Sequence, residues 1–141
     1  MRVVVDSNVL VSALLSPHGP PAQVLRLVLQ WDLCLLHDAR VLAEYDEVLA
    51  RPKFGFDADD IRAVLDGLEA SGETVMARPL PLRLPDPDDL PFLEVAVEGR
   101  ADALVTGNPR HFPPLSGQHG VRIMAPRELV DYLGGAGLAV R

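Results

Sequence analysis

The chain has almost no cysteine, almost no lysine and no long apolar stretch, and each scarcity excludes a class of function. Cys34 is the only cysteine among 141 residues. One chain can therefore build neither an internal disulfide framework nor a zinc site of several thiolates. Lys53 is the only lysine, and arginine supplies the other twelve cations. It lies in Arg51-Pro52-Lys53-Phe54, not in a G-x-x-x-x-G-K-[ST] loop, which removes a Walker-type phosphate site. No apolar run approaches the ~18 residues of a membrane span. Met1-Arg2 leads straight into Val3-Val4-Val5, without the pattern of a secretory leader, so the expectation is a soluble, cytoplasmic protein with no membrane partner. Positive charge is also in deficit: 13 basic against 20 acidic residues give a net charge of −7. That balance weighs against holding nucleic acid by bulk charge. It leaves open a protein that engages phosphates through bound metal.

What is present points to one α/β domain. The length suits a single core, and 48% hydrophobic content is too high for a disordered chain. Thirteen prolines and eleven glycines mark short, sharply bounded elements. Arg2–Val5, Leu33–Leu36, Thr74–Met76, Ala103–Val105 and Val121–Ile123 read as short buried strands. Between them, helices are expected from Val9 to Leu15, Ala22 to Gln30, Asp38 to about Arg51, Ala58 to Ala70, Phe92 to Glu98 and Pro126 to Leu133. Short apolar strands alternating with helices imply a three-layer α/β/α arrangement around a central parallel sheet. Residues 1–133 are expected to form the domain, and 134–141 a flexible C-terminal tail.

In such a sheet, ligands collect at the carboxyl ends of the strands, so the polar residues that directly follow strands matter most. Asp6-Ser7-Asn8 follows the first strand and Thr106-Gly107-Asn108 follows Leu104-Val105. A carboxylate closing a buried strand is costly without a partner, so Asp6 reads either as a site residue or as a helix cap. In the helix after Asp38, Val41, Leu42, Tyr45, Val48 and Leu49 define the buried stripe. Glu44 lies roughly 105° from its centre, at one edge, and Asp46 sits at the other, so the wheel does not choose between them. Asp89 precedes Phe92 and Leu93 by three and four positions and so shares the buried face of that helix. Capping by Asp88 or Asp89 explains one aspartate. It does not explain Asp86, Asp88 and Asp89 within four positions, a repulsive cluster that a cation would relieve. By contrast, His18, His37, His111 and His119 show no metal-ligand spacing. Arg110-His111 reads as a surface loop in preference to a phosphate contact, and Cys34 as a small core residue.

Several carboxylates converging from separate segments suit a hard divalent cation, Mg²⁺ or Mn²⁺, and with it phosphodiester hydrolysis by activated water. Rival schemes fail on particular residues. Dinucleotide binding wants a glycine-rich turn where Asp6-Ser7-Asn8 stands. A haloacid-dehalogenase-type phosphatase wants aspartate in place of Asn8. A receiver domain wants a late lysine where Thr106-Gly107-Asn108 has none.

Four segments together resemble the PIN-domain family. V-V-V-D-S-N-V-L-V-S-A-L is similar to the family's opening, whose first strand ends in a metal-binding aspartate. L-A-E-Y-D-E-V-L resembles its second element, and D-P-D-D-L-P-F-L-E-V-A followed by A-D-A-L-V-T-G-N resembles the third and fourth. The similarity spans about residues 2 to 130, and its spacing resembles that of the VapC-like ribonucleases of bacterial toxin–antitoxin systems. The resemblance implies a PIN-like nuclease domain in which Asp6, Glu44 and Asp89 are the catalytic, metal-binding acids, and thereby favours Glu44 over Asp46. It places the fourth metal position on Asn108, where many relatives have aspartate. An amide can ligate weakly or accept from a metal-bound water, but it adds no charge and cannot act as a base. Asp86 and Asp88 could compensate, Asn8 and Thr106 would orient carboxylates or water, and Asp102 is a further candidate neighbour. The implied activity is Mg²⁺- or Mn²⁺-dependent endoribonucleolytic cleavage of RNA by a toxin that a protein antitoxin restrains, with a homodimer as the expected assembly. The alternative is a catalytically weak PIN-like module that binds RNA or protein, and Asn108 is its best support.

Overall fold

The computed structural model describes residues 1–112 and 120–135. Five strands run parallel in the order β3-β2-β1-β4-β5. They are β1 (Arg2–Val5), β2 (Cys34–His37), β3 (Glu73–Thr74), β4 (Ala103–Val105) and β5 (Arg122–Met124). Val3, Val4 and Val5 pair with Ala103, Leu104 and Val105, and all six are buried. Consecutive residues of a strand face opposite ways, so burial of every position means that both faces of the sheet are covered. This is why the strands read as unbroken apolar runs.

Among the described residues six α-helices flank the sheet: α1 (Ser7–Leu15), α2 (Pro20–Leu29), α3 (Ala39–Leu49), α4 (Ala58–Ser71), α5 (Leu90–Glu98) and α6 (Pro126–Gly135). Helix α5 packs on β1, β2 and β4, while α2 packs against α1, α4 and α6. None of the described helices is long and apolar enough to cross a membrane.

The expected elements all form, with shifts that have local causes. Strand β3 is two residues long and begins at Glu73, one position earlier than Thr74, while Met76 is exposed. Gly72 explains the register: a Cβ there would lie 2.0 Å from the Leu35 carbonyl oxygen, so only glycine lets the chain press against β2 as α4 ends. The last helix runs two residues past Leu133, through Gly134 and Gly135; the rest of the expected tail lies outside the described residues, as does His119. Cys34 is half-buried at the start of β2 rather than in the core, with its Sγ 4.0 Å from the Glu73 carboxylate.

The strand order reverses direction between β1 and β4, since the chain after β1 proceeds to β2 on one side and returns to β4 on the other. The carboxyl ends of two strands that part in this way leave a crevice between their outgoing loops. Asp6 and Thr106 stand at its two lips.

Candidate metal centre

The crevice is an open pocket of about 300 Å³. Asp6, Asn8, Glu44, Asp86, Asp88, Asp89 and Asn108 all line it, together with Arg51 and His111. These residues come from the ends of β1 and β4, from α3, and from the turn before α5.

Asp6 is delivered by β1. Its backbone N–H extends the sheet by donating to the Val105 carbonyl, at 2.9 Å. The residue occupies the N-cap position of α1, but its side chain makes no cap hydrogen bond. The carboxylate accepts instead from the Thr106 hydroxyl at 2.9 Å and from Asn8 Nδ2 at 3.4 Å. Asp6 is 5% exposed, and burial raises its pKa despite the Thr106 hydroxyl and the nearby Ser7 and Asn8 N–H groups. Thr106 and Asn8 thus act as braces. The Thr106 oxygen also accepts from the Asn108 N–H at 3.0 Å, and Asn8 Oδ1 accepts from the Gly107 N–H at 3.0 Å. The two loops leaving β1 and β4 are stitched together around one carboxylate.

Asp89 holds the N-cap position of α5 as expected, but the side-chain cap lies earlier: Asp86 Oδ1 accepts from the Asp88 N–H at 3.0 Å and opens a 3-10 turn, Pro87–Asp89. That turn runs into α5 and leaves Asp89 with no capping bond. Its carboxylate is 7% exposed and faces the pocket. Burial, and then the Asp6 charge, push its pKa up to about 6, against the pull of His111.

Glu44 settles the ambiguity of the α3 wheel, because it lines the pocket whereas Asp46 is exposed and does not. Tyr45 sets the rotation of α3: its hydroxyl donates to the Val5 carbonyl at 2.6 Å, one residue before Asp6. Burial raises the Glu44 pKa first, and the neighbouring Glu47 and Asp88 charges raise it further. Asn108 is exposed at the pocket edge with its amide free of hydrogen bonds among the described residues.

Two readings change. His111 is part of the pocket, with Nδ1 3.1 Å from Asp89 Oδ2. Sequence spacing could not show this, because a 3-10 turn after Asn108 folds the ring back over the site. Asp102 is not a neighbour of the site. It precedes β4, so in a parallel sheet it lies at the opposite end, where its carboxylate accepts from the Arg2 N–H at 2.8 Å.

The donor set is all oxygen and anionic, which fits a hard divalent cation. The buried hydroxyl of Ser7 also lines the pocket and has no hydrogen-bond partner among the described residues. Among the described residues no three acidic, histidine or cysteine side chains stand close enough to enclose an ion on their own.

No curated protein matches the chain in sequence. Among solved structures, the fold matches a crystal structure of VapBC2 from Rickettsia felis bound to a DNA fragment from their promoter, with a TM-score of 0.58 and 16% identity. The match covers 89% of this chain and 98% of that one. At this identity the likeness speaks for the fold alone, which agrees with the parallel sheet and its crevice. A family model described as PIN domain matches residues 2–110, a span holding Asp6, Glu44, Asp89 and Asn108, and the chain therefore belongs to the PIN domain family.

Proposed function

We propose that this chain is a metal-dependent endoribonuclease, with Asp6, Glu44 and Asp89 as metal-binding acids and Asn108 as a weak fourth ligand. The observation that carries this reading is the pair Asp6 and Asp89. Both are nearly buried, each has a raised pKa, and the charge of one raises the pKa of the other. Holding two such carboxylates at one pocket costs stability unless a cation sits between them. Bound there, Mg²⁺ or Mn²⁺ would supply activated water and neutralise charge developing on phosphorus. The chain's own part is to hold Asp6 ionised and oriented through Thr106 and Asn8, and to keep Asp89 free of capping duty. Asp86 and Asp88 at the pocket edge add negative charge where Asn108 supplies none. The oxygen-rich pocket calls for no protein nucleophile.

The likeness to VapBC2 in fold, added to the sequence resemblance, supports a toxin role in the cytoplasm, with a protein antitoxin covering the acidic pocket and a homodimer as the active assembly. Asn108 and the His111 contact to Asp89 favour a second reading, a PIN module of weak activity. The two are separated by incubating a mixed labelled RNA pool with purified protein in Mg²⁺, Mn²⁺ or EDTA, beside Asp6→Asn. The nuclease cuts only with metal. Asp6→Asn lowers the rate by more than ~100-fold, beyond the range for groups that merely orient a ligand, and keeps a wild-type unfolding transition. Equal cutting by a well-folded mutant would sink the assignment, and a protein that neither cuts nor binds metal is the weak module.

A further inference from the structure

A second cavity, of about 260 Å³, opens beside the acidic pocket, and the two share Asn8 and Ser12 as a common wall. Its character is the reverse of its neighbour's. Pro20 and Pro21 form one side, at the first turn of α2, and Pro126 forms another, at the first turn of α6. Proline at these positions replaces backbone N–H donors with ring surface. The walls therefore offer apolar faces where a helix start would ordinarily offer an anion site.

Among the described residues, the one charged side chain lining this cavity is Arg127. It is exposed and makes no ion pair or hydrogen bond among the described residues. It also stands in the first turn of α6, where the helix dipole disfavours a cation. Helix stability thus gives no reason for it there. The acid that the helix start does want is the next residue, Glu128, whose Oε1 accepts from the Ala125 N–H at 3.0 Å.

Resting on the ribonuclease reading, we propose that this cavity is the subsite for the nucleotide adjoining the scissile phosphate. Its base or sugar lies against Pro20, Pro21 and Pro126, and its outer phosphate meets Arg127. Two features favour a single-stranded nucleotide as the occupant. The cavity adjoins the acidic pocket, with Asn8 and Ser12 lining both. It also pairs an apolar slot with a cation that has no partner among the described residues, which suits the base face and the phosphate of an unstacked nucleotide. In a chain of net charge −7, a cation so placed offsets the repulsion that the acidic pocket exerts on the strand.

Two assays separate this subsite from the nuclease itself. The first is fluorescence anisotropy of a labelled single-stranded RNA hexamer in Mg²⁺, with Asp6→Asn as the non-cleaving parent. In that background Arg127→Gln should weaken binding roughly tenfold and reduce the slope of log affinity against log salt by about one. Ala125→Trp, which fills the slot, should weaken it by a similar factor. The second assay is cleavage by the otherwise wild-type chain of RNAs carrying one abasic nucleotide at successive positions. Removing one base beside the cut should slow the wild type but not Ala125→Trp. Hexamer binding within twofold of the parent for both variants, an unchanged salt slope, or no hexamer binding at all overturns the subsite, whatever the cleavage result. Binding that depends on Arg127 and Ala125 in a protein that never cuts RNA leaves the subsite standing and removes the nuclease.

Discussion

A single hydroxyl, that of Thr106, touches residues on both sides of the acidic pocket. It is fully buried, donates to Asp6 and accepts from the Asn108 N–H. Thr106→Val keeps the shape and removes both bonds, leaving a buried carboxylate less satisfied. We expect a loss of about 1–3 kcal/mol in urea unfolding and a fall in cleavage of roughly 10–100-fold, with Thr106→Ser recovering most of each. His37 offers a separate test, away from the metal centre. It is 1% exposed, and neither ring nitrogen has a hydrogen-bond partner among the described residues. Burial lowers its pKa from 6.5, only partly offset by the Glu69 carbonyl and the Glu69 and Asp38 charges. The unfolded chain therefore binds the proton more tightly than the folded one, so stability falls as pH drops through 6.5 towards the lowered value. His37→Gln removes this titration. As pH falls from 6.5 to 5 the wild-type urea midpoint should drop relative to that of His37→Gln, and parallel plots would refute the assignment. Both residues are legible in the sequence as polar positions ending a strand. The burial of His37 depends on α4 lying across β2, and nothing near position 37 in the sequence announces that packing.

At the scale of elements, the site depends on how α3 and α5 are held relative to one another. Tyr45 ties α3 to the end of β1. A second tie runs through Glu94 on α5, whose side chain is 5% exposed. Its Oε1 meets the Arg40 guanidinium at 2.7 Å, and its Oε2 accepts from the Leu80 N–H at 2.7 Å. Arg40 also reaches Asp38, the cap of α3, at 2.9 Å. One buried carboxylate thus joins the start of α3, the body of α5 and the proline-rich segment that leads to Asp86. Arg40→Ala should cost about 2 kcal/mol by thermal or urea unfolding. This is below the ~3–5 kcal/mol typical when a wholly buried pair is broken, because the Arg40 side chain is 46% exposed. Glu94→Gln keeps an acceptor for Leu80 and should cost less than Glu94→Ala; the reverse order would show that the Leu80 bond carries no weight. Helix α5 itself was legible from Phe92, Leu93 and Ala96. The sequence does not single out Glu94, because its two partners lie 54 and 14 positions away in the chain.

At the scale of the molecule, five carboxylates line one open pocket in a protein of net charge −7. On the reading proposed above, self-repulsion at that end of the sheet would make divalent metal a stabilising ligand by mass action, worth ~2.7 kcal/mol when metal is present at 100 times its Kd. The thermal midpoint should therefore rise with Mg²⁺ and fall back with EDTA in the wild type, and stay put when Asp6→Asn and Asp89→Asn are combined. A midpoint that ignores Mg²⁺ in the wild type would remove the metal centre.

The order of strands and helices, the buried character of β1 and β4 and the candidacy of Asp6 follow from the sequence alone. Each depends on short-range periodicity or on a polar residue placed directly after an apolar run. Tertiary structure alone decided the partners. Glu44 rather than Asp46 faces the crevice because Tyr45 locks the rotation of α3 against Val5. Asp86 takes the side-chain cap and frees Asp89, His111 folds over the site, and Asp102 is carried to the far end of the sheet by the parallel direction of β4. In each case the deciding contact joins groups set by packing or by turn geometry, which the hydrophobic pattern of a single segment does not encode.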